Sequence, residues 1–301
     1  MRLATYRHDG AEHTGVVIGD RIHRLTGGLD MRGVVALDPR DLVFAPDGVP
    51  LDEVRLRPPI RPASIRDFVA FEEHVAGVRR SVDGTAGVPD AWYDAPTFYF
   101  TNPHTVIGPG DAAAFPAACA ARDFELEVAA VIGAGGIFGY TILNDWSARD
   151  LQSREMQVRL GPAKGKDFAT SLGPWIVTAD ELEPYRDADG FLRLLCTASV
   201  NGVEVGRDRL SNMGWTFETM LAYAARDSRV EPGDVLGSGT VGNGGCLAEL
   251  WGRDGAAAPP PLQPDDVVTL SVEGLGTLTN TVAVAPPGAP LPAFRRPSGA
   301  R

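Results

Sequence analysis

Polar and apolar residues alternate over residues 123–128. Asp123, Glu125 and Glu127 are interleaved with Phe124, Leu126 and Val128, and the following VAAVI is wholly apolar. A period of two predicts a strand with two different faces. Residues i and i+2 of a strand point the same way, roughly 6.5–7 Å apart, so Glu125 and Glu127 share a face. A second apolar run, residues 140–143, ends in Asn144-Asp145. The glycine-rich GAGGIFG between the runs is short enough to lay the two strands side by side, which brings Asp145 near the glutamates. Carboxylates that lead into a buried strand repel one another and lose hydration. A divalent cation offsets both costs. With three carboxylates and no Cys or His close in sequence, Mg²⁺, Ca²⁺ or Mn²⁺ suits the set better than zinc. The competing reading is a solvated strand face and an ordinary turn aspartate.

The same patterning organises the rest of the chain. Residues 1–58 read as a small β-rich domain in which GVVIGDRIHRL is a strand, tight turn and strand. Its histidines, His8, His13 and His23, match no metal spacing and are assigned to the surface. PLDEVRLRPPIRP is extended and marks the boundary to a larger domain over 62–285. IRDFVAFEEHVAGV predicts a short helix capped by Asp67, with His74 two turns on and on the same face. Residues 79–96 are polar and form a loop beside the site. Phe98-Tyr99-Phe100 opens a strand, in which Tyr99 also suits an aromatic core position. WSARDLQSREMQ is helical, with Arg149 and Asp150 anchoring its turn by ion pairing. Asn201-Gly202 is a hairpin turn. Ser211 or Asn212 caps a helix to about 225, with Met213, Phe217, Met220, Leu221 and Ala224 as its apolar stripe. VLGSGT and CLAELW read as the last strands before a terminal hairpin over 267–284. Glu249, between apolar neighbours, should be buried and in need of a partner. The Pro-rich basic tail, 286–301, is expected to be disordered. GAGGIFG resembles a loose dinucleotide fingerprint, but a strand follows it where a phosphate-binding loop needs a helix.

Composition narrows the function. The 301 residues suffice for one large domain or two unequal ones. A net charge of −11, from 39 acidic and 28 basic side chains, argues against nucleic acid as a partner. An anionic substrate must therefore rely on local cations. Three scattered cysteines, Cys119, Cys196 and Cys246, fit a reducing cytoplasm better than a disulfide framework. The first residues, MRLATYRHDG, lack the apolar core expected of a signal peptide, and no apolar run approaches the ~18 residues that cross a membrane.

ELE at 125–127, NDWSARDLQ at 144–152 and GPAKGKDF at 161–168 together resemble the fumarylacetoacetate hydrolase family, over about residues 65–250 and in the same order. The resemblance implies an α+β, mainly β fold: a small N-terminal β domain and a larger catalytic domain of rolled mixed sheet, assembled as a homodimer. It implies that Asp67, Glu125, Glu127 and Asp145, helped by Thr170, bind Mg²⁺ or Ca²⁺. His74 becomes the general base and Glu249 the carboxylate that orients it. Lys166 lies beside the metal and Gln152 donates to a substrate oxygen. Tyr99, Thr240 and Arg79 or Arg80 contact substrate. Lys164 is read as solvent-exposed. A family tyrosine after Gln152 is not matched, since Met156 and Gln157 fill that neighbourhood, and the loop before Glu249 is shorter.

The leading function is metal-dependent hydrolysis of a C–C bond in a 1,3-dicarbonyl acid of the acylpyruvate or fumarylacetoacetate type. The nearest alternative keeps the site and changes the reaction to decarboxylation, hydration or isomerisation of a 2-oxo acid. A catalytically silent small-molecule binder is the third reading. His74 with Glu249 argues against it, because a binder has no use for a base.

Overall fold

The computed structural model describes residues 1–255 and 257–295. The N-terminal part comprises β1 (Arg2–His8), β2 (Ala11–Ile18), β3 (Arg21–Leu25), the short helix α1 (Met31–Val35), β4 (Phe44–Pro50) and β5 (Arg55–Leu56). Then follow β6 (Ile65–Phe68), α2 (Glu72–Val78), β7 (Phe98–Thr101), β8 (Val106–Ile107), β9 (Ala112–Phe115) and β10 (Arg122–Asp123). The central stretch is β11 (Leu126–Gly133), β12 (Gly136–Asp145), β13 (Ser147–Ala148), α3 (Arg149–Met156), β14 (Thr170–Thr178) and α4 (Ala179–Leu182). The chain ends with β15 (Leu195–Val200), β16 (Val203–Arg209), α5 (Phe217–Ala225), β17 (Val235–Gly237), α6 (Leu247–Asp254), β18 (Val267–Val272) and β19 (Gly276–Val284).

Strands dominate, as the sequence predicts. The largest sheet runs β4-β3-β2-β1-β14-β12-β11-β17-β6-β7, with β5 against β1 and β8 against β14. The N-terminal strands are thus continuous with the sheet that carries the later motifs, through the antiparallel β1–β14 pair. A second sheet, β16-β15-β18-β19-β9, packs against it, and a two-stranded β10–β13 ribbon lies apart. Every residue of β11 is buried. Leu126, Val128, Ala130 and Ile132 join the main core, which includes Trp146, Phe217 and Leu270. Ala129 and Val131 face the other way, among Ile65, Leu143, Leu172 and Val235. Burial on both faces explains why this strand reads as a continuous apolar run after Glu127.

Several local expectations are met. Asn201 and Gly202 both have positive φ, 51° and 79°, as a two-residue hairpin turn requires. GAGGIFG connects two strands, which excludes the dinucleotide reading. Others are corrected. Asp67 caps no helix: it lies in β6, and α2 begins after Phe71. The cap of α5 is Thr216, whose hydroxyl accepts from Thr219 N, rather than Ser211 or Asn212. CLAELW is mostly helical, so Glu249 sits in α6 and not in a strand. The tail from 286 carries no helix or strand to Arg295, and 296–301 lie outside the described residues.

Candidate active site

Strand alternation builds the site. On one face of the large sheet, Ile65 of β6, Val235 of β17, Ala129 of β11, Leu143 of β12 and Leu172 of β14 sit over five adjoining strands. Two residues along each strand, the same face carries Asp67, Gly237, Glu127, Asp145 and Thr170. An apolar core thus gives way to carboxylates at one end of the sheet. Asp67 pairs with Gly237 and with Tyr99, and Asp145 pairs with Thr170. Glycine is needed in the middle of this row. A Cβ at Gly237 would lie 2.6 Å from Asp67 Oδ1 and 2.9 Å from Glu127 Oε2.

Glu125 lies just before β11, on the same side as Glu127. Lys166 Nζ donates to Glu125 Oε2 at 2.5 Å and to Asp145 Oδ2 at 2.6 Å, and Tyr99 Oη donates to the same Asp145 oxygen at 2.5 Å. Glu127 Oε2 accepts from Gly239 N at 3.1 Å, and Thr240 Oγ1 reaches Glu127 Oε1 at 3.5 Å. Lys164, two residues from Lys166, is 72% exposed and pairs only with Asp167. Lys166 is thus buried among the carboxylates while Lys164 faces solvent.

The charges do not balance. Asp67, Asp123, Glu125, Glu127 and Asp145 are all buried, and the cations buried among them are Lys166 and Arg149. Burial first, and then the charge of Asp145, pushes the Asp67 carboxyl up to about 8. Burial, then Asp67, holds Glu127 well above its usual range. Burial raises Asp145 to about 6 in spite of Lys166. For Glu125 burial acts upward as well, but Arg149 and Lys166 outweigh it and leave the group ionised at low pH. Asp67 Oδ1, Asp145 Oδ1 and Thr170 Oγ1 are buried without a hydrogen-bond partner. Oxygen donors only, unspent acceptors and excess negative charge fit a hard divalent cation.

His74 approaches the cluster from α2. Its Nε2 is 3.7 Å from Glu125 Oε1, and its Nδ1 is 3.7 Å from Cys246 Sγ and 4.0 Å from Glu249 Oε2. Burial lowers the imidazole to about 4, so it is neutral at physiological pH. Burial raises Glu249 to about 7 against the opposing hydrogen bond from Gly244 N. Side-chain atoms of His74, Glu125 and Cys246 also lie within 4.8 Å of one another. A soft-metal site there would need a thiolate, and burial holds the Cys246 thiol far above its usual range.

A cavity of about 270 Å³ opens over this ensemble. Asp67, His74, Tyr99, Glu125, Glu127, Asp145, Gln152, Lys166 and Thr240 line it, with Val69, Val78, Met156 and Pro162 as apolar wall. Arg79 and Arg80 do not. Arg79 Nη1 donates instead to Gly87 O at 2.6 Å, closing its own loop. Arg149, read from sequence as a turn anchor, is the arginine that lines the cavity. Its Nη2 is 2.7 Å from Glu125 Oε1 and 2.7 Å from Asp123 Oδ2. Its Nη1 donates to Gln152 Oε1 at 3.1 Å. Arginine only donates, so the carbonyl of Gln152 must face it and the amide NH₂ is left for another acceptor.

A family profile described as fumarylacetoacetate hydrolase C-terminal matches residues 63–283, and one described as Rv2993c-like N-terminal matches residues 1–59. Fumarylacetoacetase from Arabidopsis thaliana is 35% identical over 221 residues, covering 55% of this chain and 52% of that protein. The chain thus spans about half the length of that relative. Protein Rv2993c from Mycobacterium tuberculosis is 32% identical over 246 residues, covering 77% and 80% of the two chains. The crystal structure of a 5-carboxymethyl-2-hydroxymuconate delta-isomerase from Mycobacterium smegmatis superposes with a TM-score of 0.71 at 26% identity, over 95% of this chain and 100% of that one. Among the described residues no helix is long and apolar enough to cross a membrane.

Proposed function

This chain belongs to the fumarylacetoacetate hydrolase family, a family of enzymes, and from that premise we propose that it hydrolyses a C–C bond in a 1,3-dicarbonyl 2-oxo acid of the acylpyruvate type. The observation that carries the reading is a neutral, buried His74 placed between the carboxylate cluster and Glu249. Asp67, Glu125, Glu127 and Asp145, with Thr170, would hold one divalent cation. Bound there, such an ion supplies Lewis-acid polarisation of the substrate oxygens.

The side chains do the rest. His74 takes a proton from water, and the oxygen of that water attacks the distal carbonyl. The bond between that carbonyl carbon and the pyruvyl methylene carbon breaks. Its electron pair leaves with the pyruvyl fragment as an enolate, and the proton on His74 returns to that fragment. The products are a carboxylic acid and pyruvate. Glu249 stabilises the imidazolium. Lys166 and the free NH₂ of Gln152 stabilise the oxygen on which negative charge grows. Tyr99 and Thr240 border the space the substrate fills.

A second reading, isomerisation of a 2-oxo acid through the same enolate, is favoured by the likeness to the delta-isomerase structure. Incubation of acylpyruvates and unsaturated 2-oxo acids with and without Mg²⁺ separates the two. The hydrolase reading expects pyruvate and the cognate acid, released only with the cation. Double-bond movement without cleavage would support isomerisation instead, and binding without turnover would sink both.

Gly237→Ala tests the cation site. Its backbone suits alanine, but the new Cβ displaces Asp67 and Glu127. Calorimetric titration should show Mg²⁺ affinity reduced at least ~10-fold, by analogy with other disturbed ligand surroundings. Wild-type affinity in this variant would remove Asp67 and Glu127 from the ligand set.

A further inference from the structure

We propose that Asp123 is a positioning residue that sets the general base and the cation ligands together, a role that rests on the functional reading above. Asp123 is fully buried. Its Oδ1 accepts from Phe124 N at 2.8 Å and from Leu247 N at 2.8 Å, and its Oδ2 accepts from Ala248 N at 2.9 Å and from Arg149 Nε at 2.8 Å. One carboxylate therefore performs two tasks. Toward α6 it supplies acceptors for the first two amides of the helix, which have no intrahelical partner. Glu249 is the next residue of that helix, so the clamp fixes where its carboxylate meets His74. Toward α3 it holds Arg149, which ion-pairs with Glu125 and orients Gln152. Glu125 is itself two residues from Asp123.

The arrangement has a directional consequence. Arg149 divides its charge between Asp123 and Glu125. With the charge of Asp123 removed by substitution, the guanidinium loses the partner that holds it in place, and Glu125 loses the orientation that Arg149 gives it toward a cation. At the same time α6 loses the ionic part of its anchor, and Glu249 drifts relative to His74. A residue that served only to hold the fold would affect melting without touching these two properties selectively.

Asp123→Asn keeps an oxygen for the backbone amides and removes the charge. Arg149→Met breaks the arm to Glu125 and leaves α6 untouched. Calorimetry with Mg²⁺, steady-state kinetics well below each melting midpoint, and amide exchange at Leu247 and Ala248 form the test. Asp123→Asn should weaken Mg²⁺ binding on the order of 10-fold or more. It should also lower kcat on the order of 10²-fold, with KM changed less than about threefold. Exchange at Leu247 and Ala248 should quicken. Arg149→Met should reproduce the loss of Mg²⁺ affinity with unchanged exchange, and the double variant should be little worse than the poorer single one. Wild-type kcat and Mg²⁺ affinity in Asp123→Asn, whatever its melting point, or losses that multiply in the double variant, would overturn the proposal. Should the wild type neither bind Mg²⁺ nor turn over any substrate, the functional reading fails by itself. The exchange arm then decides for Asp123, and unchanged exchange would sink its anchoring role.

Discussion

His74→Ala is expected to lose turnover by a factor on the order of 10²–10⁴, the usual contribution of a positioned base. It should keep its affinity for Mg²⁺, because His74 is not a ligand in this scheme. The imidazole is held neutral by burial at about 4, so protonation of His74 itself does not limit activity near neutrality. Glu249 does titrate there, since burial has raised it to about 7. Its ionised form is the one that stabilises an imidazolium. Turnover should therefore rise with pH through about 7, and Glu249→Gln should flatten that limb while slowing the reaction. The two substitutions should not multiply, because the residues act as a unit. The present 4.0 Å gap between Nδ1 and Glu249 Oε2 is long for a hydrogen bond, and such contacts often tighten only with substrate in place. Kinetics across pH for the two single variants and the double variant, with metal content measured in each, check the scheme. Full activity in His74→Ala, or loss of the cation from it, would mean that another group is the base.

The carboxylate row was legible because it obeys a local rule. A period of two, broken by apolar runs, places Glu125, Glu127 and Asp145 on one side of two neighbouring strands. Asp67 was assigned to the site by resemblance, yet its local reading as a helix cap was wrong. IRDF is a four-residue strand, made one by its antiparallel pairing with β7 and its parallel pairing with β17. The β17 partner is 170 residues away in the register Asp67 to Gly237, further than any local pattern can see.

CLAELW shows the same limit. Its short alternation fits a strand or one turn of helix equally well. The structure decides for helix because Asp123, from the opposite end of the domain, accepts from Leu247 N and Ala248 N. The residue next to the helix, Cys246, caps it only through sulfur, accepting from Glu249 N at 3.4 Å, and the oxygens that take the first two amides come from a residue far away in sequence. Arg149 was missed for a related reason. Its ion pair was anticipated, but with the turn rather than with Glu125, and the long arginines at 79 and 80 drew the substrate-binding role. Arg79 is spent on Gly87 O. Asp123 itself stands in the same alternating run, two positions before the ELE motif whose geometry it controls.

Removal of the cation should make stability fall as pH rises between about 5 and 8. Asp67 and Asp145 have folded-state values of about 8 and about 6, above the ordinary carboxylate range, and burial with the charge of Asp67 also holds Glu127 well above that range. In that window the folded, metal-free chain binds protons that the unfolded chain has already released. By linkage, each of these groups favours the folded state below its unfolded value and ceases to do so as pH climbs through the folded value. Glu125 contributes in the opposite sense, but its folded value lies below the window and it is ionised in both states there. A divalent cation takes the place of those protons. Mg²⁺ should therefore stabilise little near pH 5 and strongly near pH 8, where fewer protons compete for the same oxygens. With chelator present, the melting midpoint should drop by several degrees from pH 5 to pH 8, since about 1 kcal/mol moves a domain of this size by roughly 2–4 °C. With excess Mg²⁺ it should hold level or rise. Differential scanning calorimetry across this range, on chelated and Mg²⁺-loaded protein, checks both arms. A midpoint for the chelated protein that rises with pH, or a Mg²⁺ increment that does not grow with pH, would show that these carboxylates are not the ion's ligands.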